Sequence, residues 1–217
     1  MSIWENKNLI KILKNNGVAI MPTDTIYGIV GNALNEEVVK RIYNIKKRDL
    51  EKSCIVLIGD ISELKRFSIT LLEKQTTSLT PQEKIIKKFW PGPVSIILTC
   101  SQSQDPDQSQ GQTFGTSLRS DLGIASLIFN KKDNSIAFRV PDNLDLRKFL
   151  LKTGPLVALS ANPQNLNPAK NIIEAKKYFA KENLDLIDFY LDGGIMEGKA
   201  SKIIRLFSDG SVKIIRN

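Results

Sequence analysis

Val18-Ala19-Ile20-Met21-Pro22-Thr23-Asp24-Thr25-Ile26-Tyr27-Gly28 is the stretch on which the reading of this chain turns. Four apolar residues followed by proline read as the end of a strand, because proline cannot donate to a sheet ladder. Gly28 opens backbone conformations that other residues avoid, so the chain is expected to leave the sheet here carrying two hydroxyls and a phenol. Such a place suits a polar ligand. Taken alone the residues fit an ordinary strand-to-loop exit better, since turns are rich in Thr, Asp and Gly, and other segments must decide between the two.

Working outward, Ile3 to Asn15 has helical spacing of apolar residues and Gly17 just past its end. Asn35 is placed to cap a second helix, with Glu36 and Glu37 at its positive end and Val38, Val39, Ile42, Tyr43 and Ile45 on its buried face. A strand over Cys54–Ile58 follows, then a short helix from Asp60 through Phe67. Thr80-Pro81-Gln82-Glu83 forms a capping box with proline at the first helical position. Trp90-Pro91-Gly92-Pro93 stops that helix before strand Val94–Thr99. Residues 101–120 are rich in Ser, Gln and Gly and are expected to form a mobile insertion. Beyond it come strand Ser135–Val140, a helix capped by Asp142, strand Leu156–Leu159, a helix from Lys170 to Ala180, strand Ile187–Leu191 and a hairpin turning at Asp209-Gly210. Alternating strands and helices over 217 residues indicate a single α/β domain, 1–217, around a mixed sheet.

Composition narrows the chemistry. Histidine is absent, which removes the usual general base, the Ser-His triad and His-containing zinc sites. Catalysis must rest on Lys, Arg, hydroxyls or carboxylates. Cys54 and Cys100 each lie in an apolar run and read as small buried hydrophobes, not a redox pair. The net charge of +8 is spread along the chain, as a lysine-biased soluble protein or a polyanion binder would have it. Neither a leader peptide nor an apolar run of membrane length is apparent, so no membrane partner and a cytoplasmic location are expected.

Three further segments carry potential chemistry. Lys46-Lys47-Arg48 is the densest cationic cluster; Lys46 and Arg48 converge only where the helix has ended, and the cluster reads either as a phosphate clamp or as a solvated helix end. Ser160-Ala161-Asn162-Pro163 directly follows a strand, so Ser160 and Asn162 are expected to point the same way from a carboxyl strand end, where open sheets bind ligands. Arg139 sits inside an otherwise apolar strand and needs a carboxylate, from a ligand or from a salt bridge. Walker and Gly-x-Gly-x-x-Gly spacings are absent.

In order, Pro22-Thr23-Asp24-Thr25-Ile26-Tyr27-Gly28, Lys46-Lys47-Arg48, Phe89-Trp90-Pro91-Gly92-Pro93, Arg139-Val140-Pro141, Ser160-Ala161-Asn162 and Asp192-Gly193-Gly194 resemble the YrdC-like family of threonylcarbamoyl-AMP synthases, over roughly residues 7 to 216. The resemblance implies a YrdC-like α/β sandwich around a twisted mixed sheet with an open concave cleft, of the short, single-domain type. It implies an enzyme that forms threonylcarbamoyl-AMP and pyrophosphate from L-threonine, bicarbonate or CO2, and ATP, with Mg2+ on the nucleotide and no protein metal site. Its product would serve threonylcarbamoyladenosine formation in tRNA, through downstream transfer proteins. By the same resemblance Lys46 and Arg48 form the phosphate clamp, Ser135, Ser160, Asn162 and Arg216 surround ATP, and Thr23, Thr25, Arg139 and Ser201 hold threonine.

Four positions depart from that pattern. Asp49 stands where proline is usual, Leu57 where a histidine is common, Lys202 where a threonine follows Ser201, and Ala158 where a hydroxyl is expected. They fall on the substrate side. A second reading is therefore a non-catalytic module of the same fold that binds tRNA or double-stranded RNA through a basic face. A third, related carbamoyl-adenylate chemistry on another substrate, would call for extra domains and zinc-type cysteines that this sequence does not contain.

Overall fold

Alternation of short apolar runs with capped amphipathic segments produces a sheet flanked by helices, as hydrophobic faces require. The computed structural model describes residues 2–49, 52, 54–69, 79–100, 126–130, 132–179 and 186–217. The expected insertion at 101–120 lies outside the described residues. Helices are α1 (Lys7–Lys14), α2 (Glu36–Lys46), α3 (Pro81–Phe89), α4 (Leu144–Thr153) and α5 (Ile172–Phe179). Strands are β1 (Ala19–Pro22), β2 (Tyr27–Asn32), β3 (Ile55–Leu57), β4 (Val94–Thr99), β5 (Ser135–Arg139), β6 (Leu156–Ser160), β7 (Phe189–Tyr190), β8 (Lys202–Leu206) and β9 (Val212–Arg216). They form one mixed sheet in the order β7-β1-β2-β6-β3-β5-β4-β8-β9.

Local chemistry fixes the helix starts. Asn35 accepts from the Val38 amide, and Thr80 and Glu83 complete the reciprocal capping box. The first helix is divided: a 3-10 turn covers Ile3–Glu5, and Asn6 caps α1. Asn143, not Asp142, caps α4, its side chain accepting from the Leu146 amide.

The opening stretch differs from expectation. The chain leaves the sheet for only four residues, 23–26, and returns as β2, pairing Pro22 with Tyr27. Strand β2, Tyr-Gly-Ile-Val-Gly-Asn, escapes a propensity reading because Gly and Asn are poor strand formers. Gly31 is required by packing, since a Cβ there would run into the Val38 side chain of α2.

Each face of the sheet has its own core. On one, α1 and α4 contribute Leu9, Leu13, Leu146, Phe149 and Leu150 against Met21, Val30, Leu57 and Leu156. On the other, α2 packs Val38, Val39, Ile42 and Tyr43 near Ile20, Ile29, Val56 and Phe138. The first cover is partial, and the sheet beyond it is left open.

Candidate active site

Strand register decides which side chains share that open face. Directly paired residues point the same way, so Ala158 and Ile55, Leu57 and Arg139, and Ser95 and Ile203 each lie on one side. Gly28 pairs with Ser160, and Arg216 with Ile203 across an irregular register. The result is a cavity of about 270 Å³, lined by Thr23, Thr25, Arg48, Arg139, Ser160, Ser201 and Arg216 over an apolar floor that includes Ile55, Leu57 and Ala158.

The turn at 23–26 is locked by its own hydroxyls. Thr23 Oγ1 donates to the Ile26 carbonyl at 2.8 Å and lies 3.2 Å from Thr25 Oγ1. Tyr27 is the first correction to the sequence reading. Its phenol turns away from the cavity, donating to the Gly194 carbonyl at 2.9 Å and accepting from the Gly193 amide at 2.8 Å. It braces the segment that leads to Ser201. A Cβ on Gly198 of that segment would collide with the Thr25 carbonyl, so the close approach requires glycine there.

Arg139 is buried and paired with Asp24 at 2.8 Å, while its Nη1 donates to Thr25 Oγ1 at 3.2 Å. Burial lowers Arg139 and raises Asp24, and the like charge of Arg216 lowers Arg139 further. Arg216 donates to the Ser201 carbonyl at 2.6 Å from Nη2. Ser201 Oγ lies 2.9 Å from Ser95 Oγ.

Helix α2 ends at Lys46 because Lys47 adopts the left-handed conformation, φ 49°. Arg48 then lines the cavity, with its guanidinium over the Tyr43 ring at 5.9 Å. Lys46 sits behind that wall, donating to the Ser160 carbonyl and, at 2.5 Å, to the Asn162 carbonyl. Burial first, and Arg48 second, pull its ammonium down to about 7. Asn162 does not line the cavity beside Ser160 as the strand parity led one to expect. The strand ends at Ser160, and the Asn162 side chain donates to the Leu166 carbonyl and faces Lys46 Nζ at 3.3 Å.

Ser135 shares the face of Arg139 but stands at the other end of β5, about 13 Å away at roughly 3.3 Å per residue. There it donates to Asp133 at 2.6 Å, next to Arg205. Cys54 and Cys100 are buried thiols, as read, and burial pushes the Cys54 thiol up to about 12. Of the four departures, Leu57 and Ala158 line the cavity. Ser95 was missed. A fully buried serine inside the apolar run Val-Ser-Ile-Ile-Leu-Thr was the available signal.

The Phe89-Trp90-Pro91-Gly92-Pro93 motif acts as a brace. The Gly92 amide donates to the Val140 carbonyl at 2.9 Å, and Trp90 Nε1 to the Val94 carbonyl at 2.7 Å, holding the carboxyl end of β5 where Arg139 projects. Four of the six motifs thus supply residues to the cavity lining, and the other two, at 89–93 and 192–194, brace the segments beside it. Among the described residues there is no cluster of three or more Cys, Asp or Glu side chains able to hold a metal ion.

A mixed nine-stranded sheet with cationic and hydroxyl side chains converging on one open face defines an α/β protein built to hold an anionic ligand. The Sua5/YciO/YrdC family model, described as "Telomere recombination", matches residues 11–217, and the chain belongs to that family. It is 30% identical over 190 residues to the threonylcarbamoyl-AMP synthase of Marinobacter nauticus, covering 87% of this chain and 84% of that one. It is 33% identical over 152 residues to the threonylcarbamoyl-AMP synthase of Bacillus subtilis, covering 70% of this chain and 36% of that one. The crystal structure of P. abyssi Sua5 complexed with L-threonine shares the fold, with a TM-score of 0.74 at 22% identity over 100% of this chain and 54% of that one.

Proposed function

We propose that this protein joins L-threonine, bicarbonate or CO2, and ATP into threonylcarbamoyl-AMP, releasing pyrophosphate. The observation that supports it most is the cavity itself, where Arg48, Arg139 and Arg216 meet four alcohols and no acidic side chain among the described residues is on the lining. The threonine ammonium first loses a proton to solvent, and the free amine and bicarbonate then give N-carboxythreonine and water. A carbamate oxygen then forms a bond to the α-phosphorus, and the bond from that phosphorus to the pyrophosphate oxygen breaks. No redox partner and no protein base is needed, because the nucleophile is already an anion. The protein's work is orientation and charge neutralisation.

In this reading Arg139, with Thr23, Thr25 and Ser201 around it, takes the threonine carboxylate. Arg48, Ser160 and Arg216 face the phosphates, and Lys46 sits behind Ser160 to add positive charge at the same end. Ser135, further along the same sheet face, is set for the nucleoside. Mg2+ would come bound to the triphosphate and offset its charge there, and no carboxylate among the described residues lies on the cavity lining to hold it separately. The product is a labile mixed anhydride, so downstream proteins that transfer the threonylcarbamoyl group to tRNA must consume it. With those consumers and with ATP, the reaction belongs in the cytoplasm; no described helix is long and apolar enough to cross a membrane. A double-stranded RNA-binding module would use an outward basic face, whereas these guanidiniums line a small hollow.

The test is direct. Protein incubated with ATP, Mg2+, L-threonine and bicarbonate should release pyrophosphate only when all are present, with threonylcarbamoyl-AMP seen by mass spectrometry. Release no greater than that of Arg139→Ala would overturn the proposal, and salt-sensitive RNA binding without ATP binding would favour the module.

A further inference from the structure

Asp24 takes no part in the chemistry above, yet it is the carboxylate bound to the cavity's most buried guanidinium. Its side chain is 6% exposed, and its Oδ1 accepts from Arg139 Nη2 at 2.8 Å. The neighbouring Thr25 takes Nη1 at 3.2 Å. Two adjacent residues of one four-residue turn therefore fix two of the three guanidinium nitrogens, and the turn is itself held by the Thr23 hydroxyl on the Ile26 carbonyl. The third nitrogen, Nε, is buried without a partner among the described residues.

Charge gives Asp24 a second role. Arg216 lies near enough to act on Arg139 as a like charge. An arginine has many rotamers, and without a counter-charge it would swing away from a second guanidinium. Asp24 holds the guanidinium in place against that repulsion, before any ligand arrives.

We infer that Asp24 is the positioning residue of the amino-acid subsite: by fixing Arg139 it sets carboxylate recognition, and it leaves the nucleotide end unaffected. The inference rests on the synthase reading. Asp24→Asn keeps the shape and removes the charge. Titration calorimetry with L-threonine and with MgATP, together with the KM and kcat of pyrophosphate release, reads the result. L-Threoninol, which lacks the carboxylate, serves as a competitive probe. The expected outcome is a threonine Kd and KM raised about tenfold or more, with MgATP Kd within about twofold of the parent. The preference for threonine over threoninol should collapse toward parity, while thermal melting stays cooperative.

Three results would overturn it: an unchanged or tighter threonine Kd, as expected if Asp24 merely competes with the substrate; threonine and MgATP weakened in parallel; or weakened threonine binding with the threoninol preference intact. Should Asp24→Asn not fold, Asp24→Glu, which retains the charge but displaces the carboxylate by one methylene, is read against the same outcomes. A parent protein with no threonine-dependent pyrophosphate release would instead sink the synthase reading.

Discussion

Arg139 and Lys46 are equally buried beside the same cavity, each 4% exposed, but they are held in different ways. Arg139 faces a carboxylate, Asp24, whereas the hydrogen bonds of Lys46 go to the carbonyls of Ser160 and Asn162 and to the Asn162 side chain. A guanidinium with a counter-ion stays charged and oriented before a ligand binds. An ammonium held by neutral oxygens falls toward neutrality, and Lys46 lies at about 7. The amino-acid end is thus preset, while the phosphate end gains its full charge when an anion arrives.

The largest effects come from breaking the preset end. Arg139→Ala leaves Asp24 buried and unpaired, a loss of about 3–5 kcal/mol that would lower Tm by roughly 10 °C. Threonine-dependent pyrophosphate release should fall about 100-fold or more. The double variant Asp24→Asn/Arg139→Met, which removes both charges, should recover much of the Tm and none of the activity. Recovery of activity would show that Arg139 serves stability alone.

Lys46→Met attacks the other end and should cost less stability. It strands two buried carbonyls, at about 1–3 kcal/mol each, but also relieves the burial of an ammonium, so the Tm change should be smaller than for Arg139→Ala. MgATP binding should weaken about tenfold to 100-fold, with threonine binding within about twofold. Equal losses of both ligands would erase the distinction between the two ends.

How far these ends could be read from sequence differs too. Thr23, Thr25, Arg139 and Ser160 were legible because each is a polar residue at a strand end or inside an apolar run, whereas Ser201 entered only through the family resemblance. Their meeting was legible only through the order of six motifs. The contact that fixes Arg139 spans 115 residues, and no local pattern encodes it. Strand β2 was hidden by Gly28, Gly31 and Asn32, poor strand formers of which Gly31 is demanded by packing, and Asn162 was misplaced because strand parity stops at Ser160. The caps at Asn35, Asp60 and Thr80 were readable, since each involves residues two or three apart.

Proton dependence sharpens the comparison at intermediate size. A free lysine titrates near 10.4, and Lys46 when folded at about 7. Below pH 7 it is charged in both folded and unfolded states, and the burial penalty is fully present. Between about 7 and 10.4 the folded protein sheds the proton first, so the penalty is relieved and this group's effect on stability turns less unfavourable as pH rises. Anion binding runs the other way: MgATP affinity should fall about tenfold from pH 7 to pH 8.5 in calorimetry. Lys46→Arg should flatten that slope, and threonine affinity should show none of it.

Tyr27→Phe is the smallest change and tests whether the amino-acid end stands on its own turn or on the segment that crosses behind it. The phenol accepts from the Gly193 amide and donates to the Gly194 carbonyl, so its loss should cost about 1 kcal/mol, or roughly 2–4 °C in Tm. Because Asp24 and the Thr23 hydroxyl already lock the turn that holds Arg139, threonine and MgATP affinities should each stay within about twofold. A threonine Kd that moved tenfold while MgATP stayed fixed would mean that the segment from Asp192 to Ser201 orients the guanidinium. The preset end would then be a property of two chain segments rather than one.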